Sequence, residues 1–139
     1  MLNRPLTLRS LSRAAGAAAL LVAAHPVAAQ QPAPVDSLAI RQVDIGGQWF
    51  RSACFECHAN NLSDPDFKAK WNGRTAFELY DRMRNTMPDS DPGGLTPETY
   101  VALTAYLLKL NGMPVGTSMI STDSSALSSI KLSFPSSHR

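Results

Sequence analysis

The chain has 139 residues, 44% apolar and 17% charged, with a formal charge of +2 and two cysteines. That length suits one domain of ordinary size and excludes a multidomain enzyme with a large substrate pocket of its own. Two cysteines are too few for a disulfide-stapled mini-protein or for a four-thiolate metal site.

The basic balance is concentrated at the start of the chain. Arg4, Arg9 and Arg13 precede an apolar run, Ala14 to Ala24, that ends at Val27-Ala28-Ala29. A basic region, a short apolar region and a small-residue site in that order predict a signal peptide over residues 1–29, cleaved after Ala29. The apolar run is shorter than the roughly 20 residues that span a bilayer, so an uncleaved anchor is the lesser alternative, and only it would tie the protein to a membrane. Removing the segment takes away three arginines and no acid, and the charge falls from +2 to −1. A near-neutral chain gives no reason to expect nucleic acid as a partner. The expected location is the periplasm.

Residues 30–35 read as a flexible, proline-marked leader, and the folded domain is expected over 36–116. A first helix is predicted over roughly Gly47 to Cys57, with Phe50 and Cys54 on one face. Asn60 to Asn72 reads as a loop, punctuated by Ser63-Asp64-Pro65 and Asn72-Gly73. A second helix is predicted from Ala76 to about Asn85, opened by Thr75 and Glu78 as a capping box. After a loop rich in proline and glycine comes the clearest helix, with Thr96 as N-cap and Pro97 in its first position. Tyr100, Leu103, Leu107 and Leu110 form its stripe and Asn111-Gly112 its stop. No alternating strands are evident between Asp36 and Gly116, so the expected class is all-α, with three main helices. Nine serines between Thr117 and Arg139 predict a disordered tail over 117–139. The alternation Ile130, Leu132, Phe134 could instead dock as a short strand.

The chemistry is concentrated in five residues, Cys54-Phe55-Glu56-Cys57-His58. Cys-x-x-Cys-His is the attachment sequence of c-type haem. Residues i and i+3 share one side of a helical turn, so both sulfurs can reach the two vinyl groups along one porphyrin edge. His58 is then placed to bind the iron. Two other readings compete. A Cys54–Cys57 disulfide suits an oxidising compartment, but a thioredoxin-like site should come with a βαβ pattern that this chain lacks. A zinc site would need another ligand, and His138 is the only other histidine left after cleavage.

Residues 46–116 resemble a monohaem class I c-type cytochrome. They are particularly similar to the small bacterial haem domains that serve as electron partners of quinoprotein dehydrogenases. The resemblance rests on Phe50-x-x-x-Cys54-x-x-Cys57-His58, then Trp71-Asn72-Gly73-Arg74-Thr75 and Thr86-Met87-Pro88. It continues through Pro92-Gly93-Gly94-Leu95-Thr96 and Ala105-Tyr106-Leu107-Leu108 to Asn111-Gly112-Met113-Pro114. It implies a helical bundle around one haem c, bound through thioethers to Cys54 and Cys57, with His58 and Met87 as axial ligands. Local chemistry agrees for Met87, which follows a helix and precedes a proline-rich turn; Met83, one turn earlier, and Met113 are the alternatives. Trp71 and Arg74 are candidate donors to a haem propionate. In such cytochromes the first and last helices cross closely, which would set Phe50 and a preceding glycine against Leu103, Tyr106 or Leu107.

The expected function is that of a periplasmic electron carrier and not an enzyme, with redox proteins such as a quinoprotein dehydrogenase or a terminal oxidase as partners. Reduced thiols must meet haem in an oxidising compartment, so haem-attachment machinery is implied as a further partner. The rivals are a haem subunit of a dehydrogenase or respiratory complex and a ligand-binding haem sensor or enzyme. Denaturing electrophoresis separates all of these from disulfide chemistry: a haem-stained band at the mass of the chain is expected, and its absence would sink covalent attachment.

Overall fold

The computed structural model describes residues 35–114 and 116–135. The expected signal peptide over 1–29, residues 30–34 of the expected leader and His138 lie outside the described residues, and Val35, the last residue of that leader, is helical. Among the described residues there are six α-helices: α1 (Val35–Trp49), α2 (Phe55–His58), α3 (Pro65–Trp71), α4 (Ala76–Thr86), α5 (Pro97–Leu110) and α6 (Ser124–Ser129). A π-helical turn, Phe50–Cys54, joins α1 to α2. Among the described residues the β pairing is limited to one antiparallel bridge, Thr75 with Lys131. The class is therefore all-α as expected, although the helices number more than three; α1, α4 and α5 are the longest.

Helix α1 starts at Val35, well before the expected Gly47, and Cys57 belongs to a separate short helix. The inner face of α1 explains the difference. Its buried positions are Ala39, Gln42, Gly46, Gly47 and, just beyond the helix, Phe50, near helical spacing but mostly small or polar. Leu38, Ile45 and Trp49 are exposed, which blurs any apolar stripe. Gln42 is only 6% exposed and is satisfied at both ends: its Nε2 donates to the Ile120 carbonyl and its Oε1 accepts from the Ile120 amide, each at 2.8 Å. Such pairing removes the cost of burying an amide.

Helix α5 forms the centre of the fold. Tyr100 to Ala105, Leu107 and Leu108 are all buried, the mark of a helix packed on nearly every side. Its ends follow the sequence signals: Thr96 accepts from the Thr99 amide at 3.2 Å, and Gly112 takes φ +85° beyond the Asn111 cap. Helix α1 crosses α5 at Gly46, where a Cβ would collide with the Ala102 carbonyl oxygen and lie 2.9 Å from the Tyr106 Cβ. One turn on, the Phe50 and Tyr106 rings sit 5.2 Å apart.

The expected loop from Asn60 to Asn72 contains α3. Asp64 caps it by accepting from the Phe67 amide at 2.7 Å, and Pro65 occupies its first turn. Both residues stand in the sequence as a helix start, but they also read as loop punctuation. Helix α3 buries Phe67 and Trp71. Helix α4 opens with the expected capping box: Thr75 donates its amide to Glu78 Oε2 at 2.8 Å, and Glu78 donates its amide to Thr75 Oγ1 at 3.2 Å.

The expectation of a disordered tail needs correction over its described part. Asp123 caps α6, and Leu127 and Leu132 are 0% and 1% exposed. The chain then runs along the start of α4. Gly73 donates to the Leu132 carbonyl and Leu132 to the Arg74 carbonyl, each at 2.8 Å, and Ala76 donates to Ile130 at 2.9 Å. Serine content signals weak burial on average. Here Leu127, Ile130, Leu132 and Phe134 supply enough apolar surface, and the Gly73–Ala76 backbone supplies the hydrogen bonds. The alternative of a docked extended stretch is thus close to what forms.

Two substitutions check this packing by thermal unfolding of the haem-loaded protein. Gly46→Ala should cost about 1–3 kcal/mol, the usual penalty for an overfilled contact. Leu127→Ala should cost about 2–5 kcal/mol through a buried cavity; an unchanged Tm would mean that the tail does not pack.

Candidate functional site

Between α3, α4, α5 and the α1–α2 junction lies a cavity of ≈ 820 Å³. Cys54, Cys57, His58 and Met87 all line it. Phe50, Phe67, Trp71, Leu79, Leu103 and Leu107 contribute apolar walls. Its size and lining suit a large, flat, mainly apolar group held by a few directed side chains.

The π-helical turn positions the first half of the site. Buried Phe50 anchors its start and Cys54 ends it at φ −122° and ψ −28°, so the chain leaves α1 and starts α2 at the first cysteine. Such widened turns occur frequently at functional positions. Both thiols are free; Cys54 is half-buried and Cys57 exposed. Burial pushes the Cys54 thiol above the ordinary cysteine range, so it stays protonated at neutral pH. His58 is half-buried, with Nδ1 3.1 Å from Asn61 Oδ1. In the tautomer with the proton on Nδ1 this contact is a hydrogen bond to the amide oxygen, and Nε2 then keeps its lone pair.

Met87 follows the last turn of α4. Its amide donates to the Met83 carbonyl at 2.8 Å, and its own carbonyl accepts from the Tyr100 hydroxyl at 2.6 Å. Met83 also lines the cavity, whereas Met113 packs against the hydrophobic core and is not part of the lining. Trp71 belongs to the wall, as a propionate donor must. Arg74 does not: its guanidinium lies 3.0 Å from Glu78 and stacks over the Trp71 ring at 4.9 Å. The Thr75 amide, and after it Arg74, hold the Glu78 carboxyl below its usual range. The cations that line the cavity are Lys70 and Arg82. Sequence reasoning did not single them out, nor Asn61, and it placed Tyr100 only in the apolar stripe of α5; the spacing of Asn61, three residues after His58, was the one local signal available.

Residues 41–107 match the family model described as cytochrome C oxidase, cbb3-type, subunit III. The match supports a class I c-type cytochrome domain over that span. No curated protein and no solved structure gives a match. The matched span includes Cys54, Cys57, His58, Met87 and Tyr100, and ends before the packed tail. A cytochrome c domain implies haem-based electron transfer, and this cytochrome's cavity fits haem c on its own terms. It presents two thiols, a histidine whose Nε2 is free and a thioether within apolar walls, with cations for carboxylates. Among the described residues no helix is long and apolar enough to cross a membrane.

Proposed function

We propose that the protein is an exported, periplasmic electron carrier with one haem c, attached through Cys54 and Cys57 and ligated axially by His58 Nε2 and the Met87 sulfur. The observation that carries this is the convergence of those four side chains on one cavity. Haem bound there supplies one-electron Fe(III)/Fe(II) exchange, at a potential that a thioether ligand raises relative to two imidazoles.

The chain's own residues do the rest. Cys54 and Cys57 fix the group's edge, and the Asn61 contact holds the His58 ring in the tautomer that binds through Nε2. Phe67, Trp71, Leu79 and Leu103 exclude water from the faces of the cavity. Lys70 and Arg82, which line the cavity, would neutralise carboxylates of the bound group, a role for which the sequence offered Trp71 and Arg74 as candidates. With His58 and Met87 both holding the iron there would be no open position for a substrate, which favours a carrier over an enzyme. The redox partners fit two classes: a dehydrogenase that donates electrons and an oxidase that takes them. A second reading, the same domain as a fixed subunit of an oxidase complex, draws support from the family match. Purification of the native protein alone at its monomer size would argue against it.

The ferrous protein should show a low-spin spectrum unchanged by carbon monoxide. Met87→Ala should keep its covalent haem, bind carbon monoxide rapidly, and lower the reduction potential by on the order of 0.1 V or more, within the range of about 0.8 V that axial ligands span. Rapid carbon monoxide binding by the wild-type protein, or Met87→Ala with unchanged spectrum and potential, would defeat His/Met ligation.

A further inference from the structure

The role of Met87 raises the question of what holds its sulfur on a loop. Met87 has left the helix, with φ −135° and ψ 148°, so α4 no longer determines its direction. Its backbone is nevertheless tied at both ends. The amide is bound to Met83, the last helical bond of α4, and the carbonyl is bound to the Tyr100 hydroxyl, thirteen residues ahead on another helix. Tyr100 is only 1% exposed, and its ring meets Tyr80 edge to face at 6.4 Å. The first turns of α5, capped by Thr96, hold the ring in turn. The hydroxyl also lies 3.5 Å from the Leu95 amide, so it accepts weakly from the far side of the loop while it donates to Met87.

From this geometry we infer that Tyr100 is the positioning residue for Met87: its hydroxyl clamps the Met87 carbonyl to α5 and thereby biases the thioether toward the bound position on the iron. The inference rests on Met87 as the axial ligand. Tyr100 also lines the cavity, but its role in this inference is carried by the hydroxyl on the Met87 carbonyl and not by ligation. Without the hydroxyl the Met87 carbonyl loses its α5 anchor, and the loop has a larger set of conformations in which the sulfur is away from the iron. A competing ligand then needs to displace less bonding, because its apparent affinity scales with the fraction of protein in the sulfur-off form.

The test is an imidazole titration of the ferric, haem-loaded, full-length protein, followed by loss of the methionine-to-iron charge-transfer band. Tyr100→Phe should retain covalent haem and raise the apparent imidazole affinity roughly fivefold to tenfold, the factor that corresponds to one hydrogen bond to a part-buried carbonyl. Leu127→Val, a one-methylene truncation in the core away from Met87, should lower the Tm and leave the imidazole affinity unchanged. An unchanged affinity in Tyr100→Phe, or an equal rise in Leu127→Val, overturns the clamp. In the wild-type ferrous protein the Tyr100 hydroxyl proton should exchange slowly in NMR spectra; rapid exchange with solvent also overturns it, without reliance on the variant. Absence of the charge-transfer band from the wild-type protein would instead overturn methionine ligation itself, and the clamp with it.

Discussion

Gly46 lies so close to the Ala102 carbonyl that one methyl group has no room, and this contact fixes how α1 crosses α5. The position of Phe50 follows from it, because the next turn of the chain sets that ring against Tyr106. An aromatic pair of this kind adds about 0.5–1.5 kcal/mol beyond burial, but its greater effect is directional. Phe50 begins the π-helical turn that delivers Cys54, Cys57 and His58, so a backbone approach remote from the chemistry determines where the attachment sequence faces.

Helix α5 serves both halves of the site. Leu103 and Leu107 line the cavity, Tyr100 reaches the Met87 carbonyl, and at its far end Asn111 donates to the Leu62 carbonyl at 2.8 Å in the segment after His58. The loop that follows the histidine and the loop that bears the methionine are therefore both tied by side chains of one buried helix. On the proposed ligation by His58 and Met87, a rigid element shared by both segments would limit rearrangement when the iron changes its charge.

The parts legible in the sequence were those whose physics is local. Cys54, Cys57 and His58 lie within five residues, so their meeting at one cavity is a local matter, and the α4 and α5 starts announce themselves through Thr75, Glu78, Thr96 and Pro97. The parts missed depend on partners far along the chain. Ala39, Gln42 and Gly46 form a helix face only because α5 and Ile120 are there to receive it, so no apolar stripe marks the first half of α1. The tail was obscured by its serines, since Leu127 and Leu132 gain meaning only against the α3–α4 corner. Asp64-Pro65 was readable in principle as a helix start, yet α3 is short and its signal resembles that of a turn. Arg74 was a reasonable propionate partner by composition, but its nearest carboxylate is Glu78, one turn away on α4.

The docked tail also bears on what counts as a unit of inheritance. The family match ends at residue 107, but the main-chain hydrogen bonds of Gly73, Arg74 and Ala76 are completed by residues 130–132. A gene fusion or transplant cut at the edge of the recognisable cytochrome would carry the cofactor-binding chemistry and leave behind part of its own scaffolding. The portable module therefore reaches past residue 107 at least through residues 130–132, and a fusion that keeps this pairing intact would be joined beyond them.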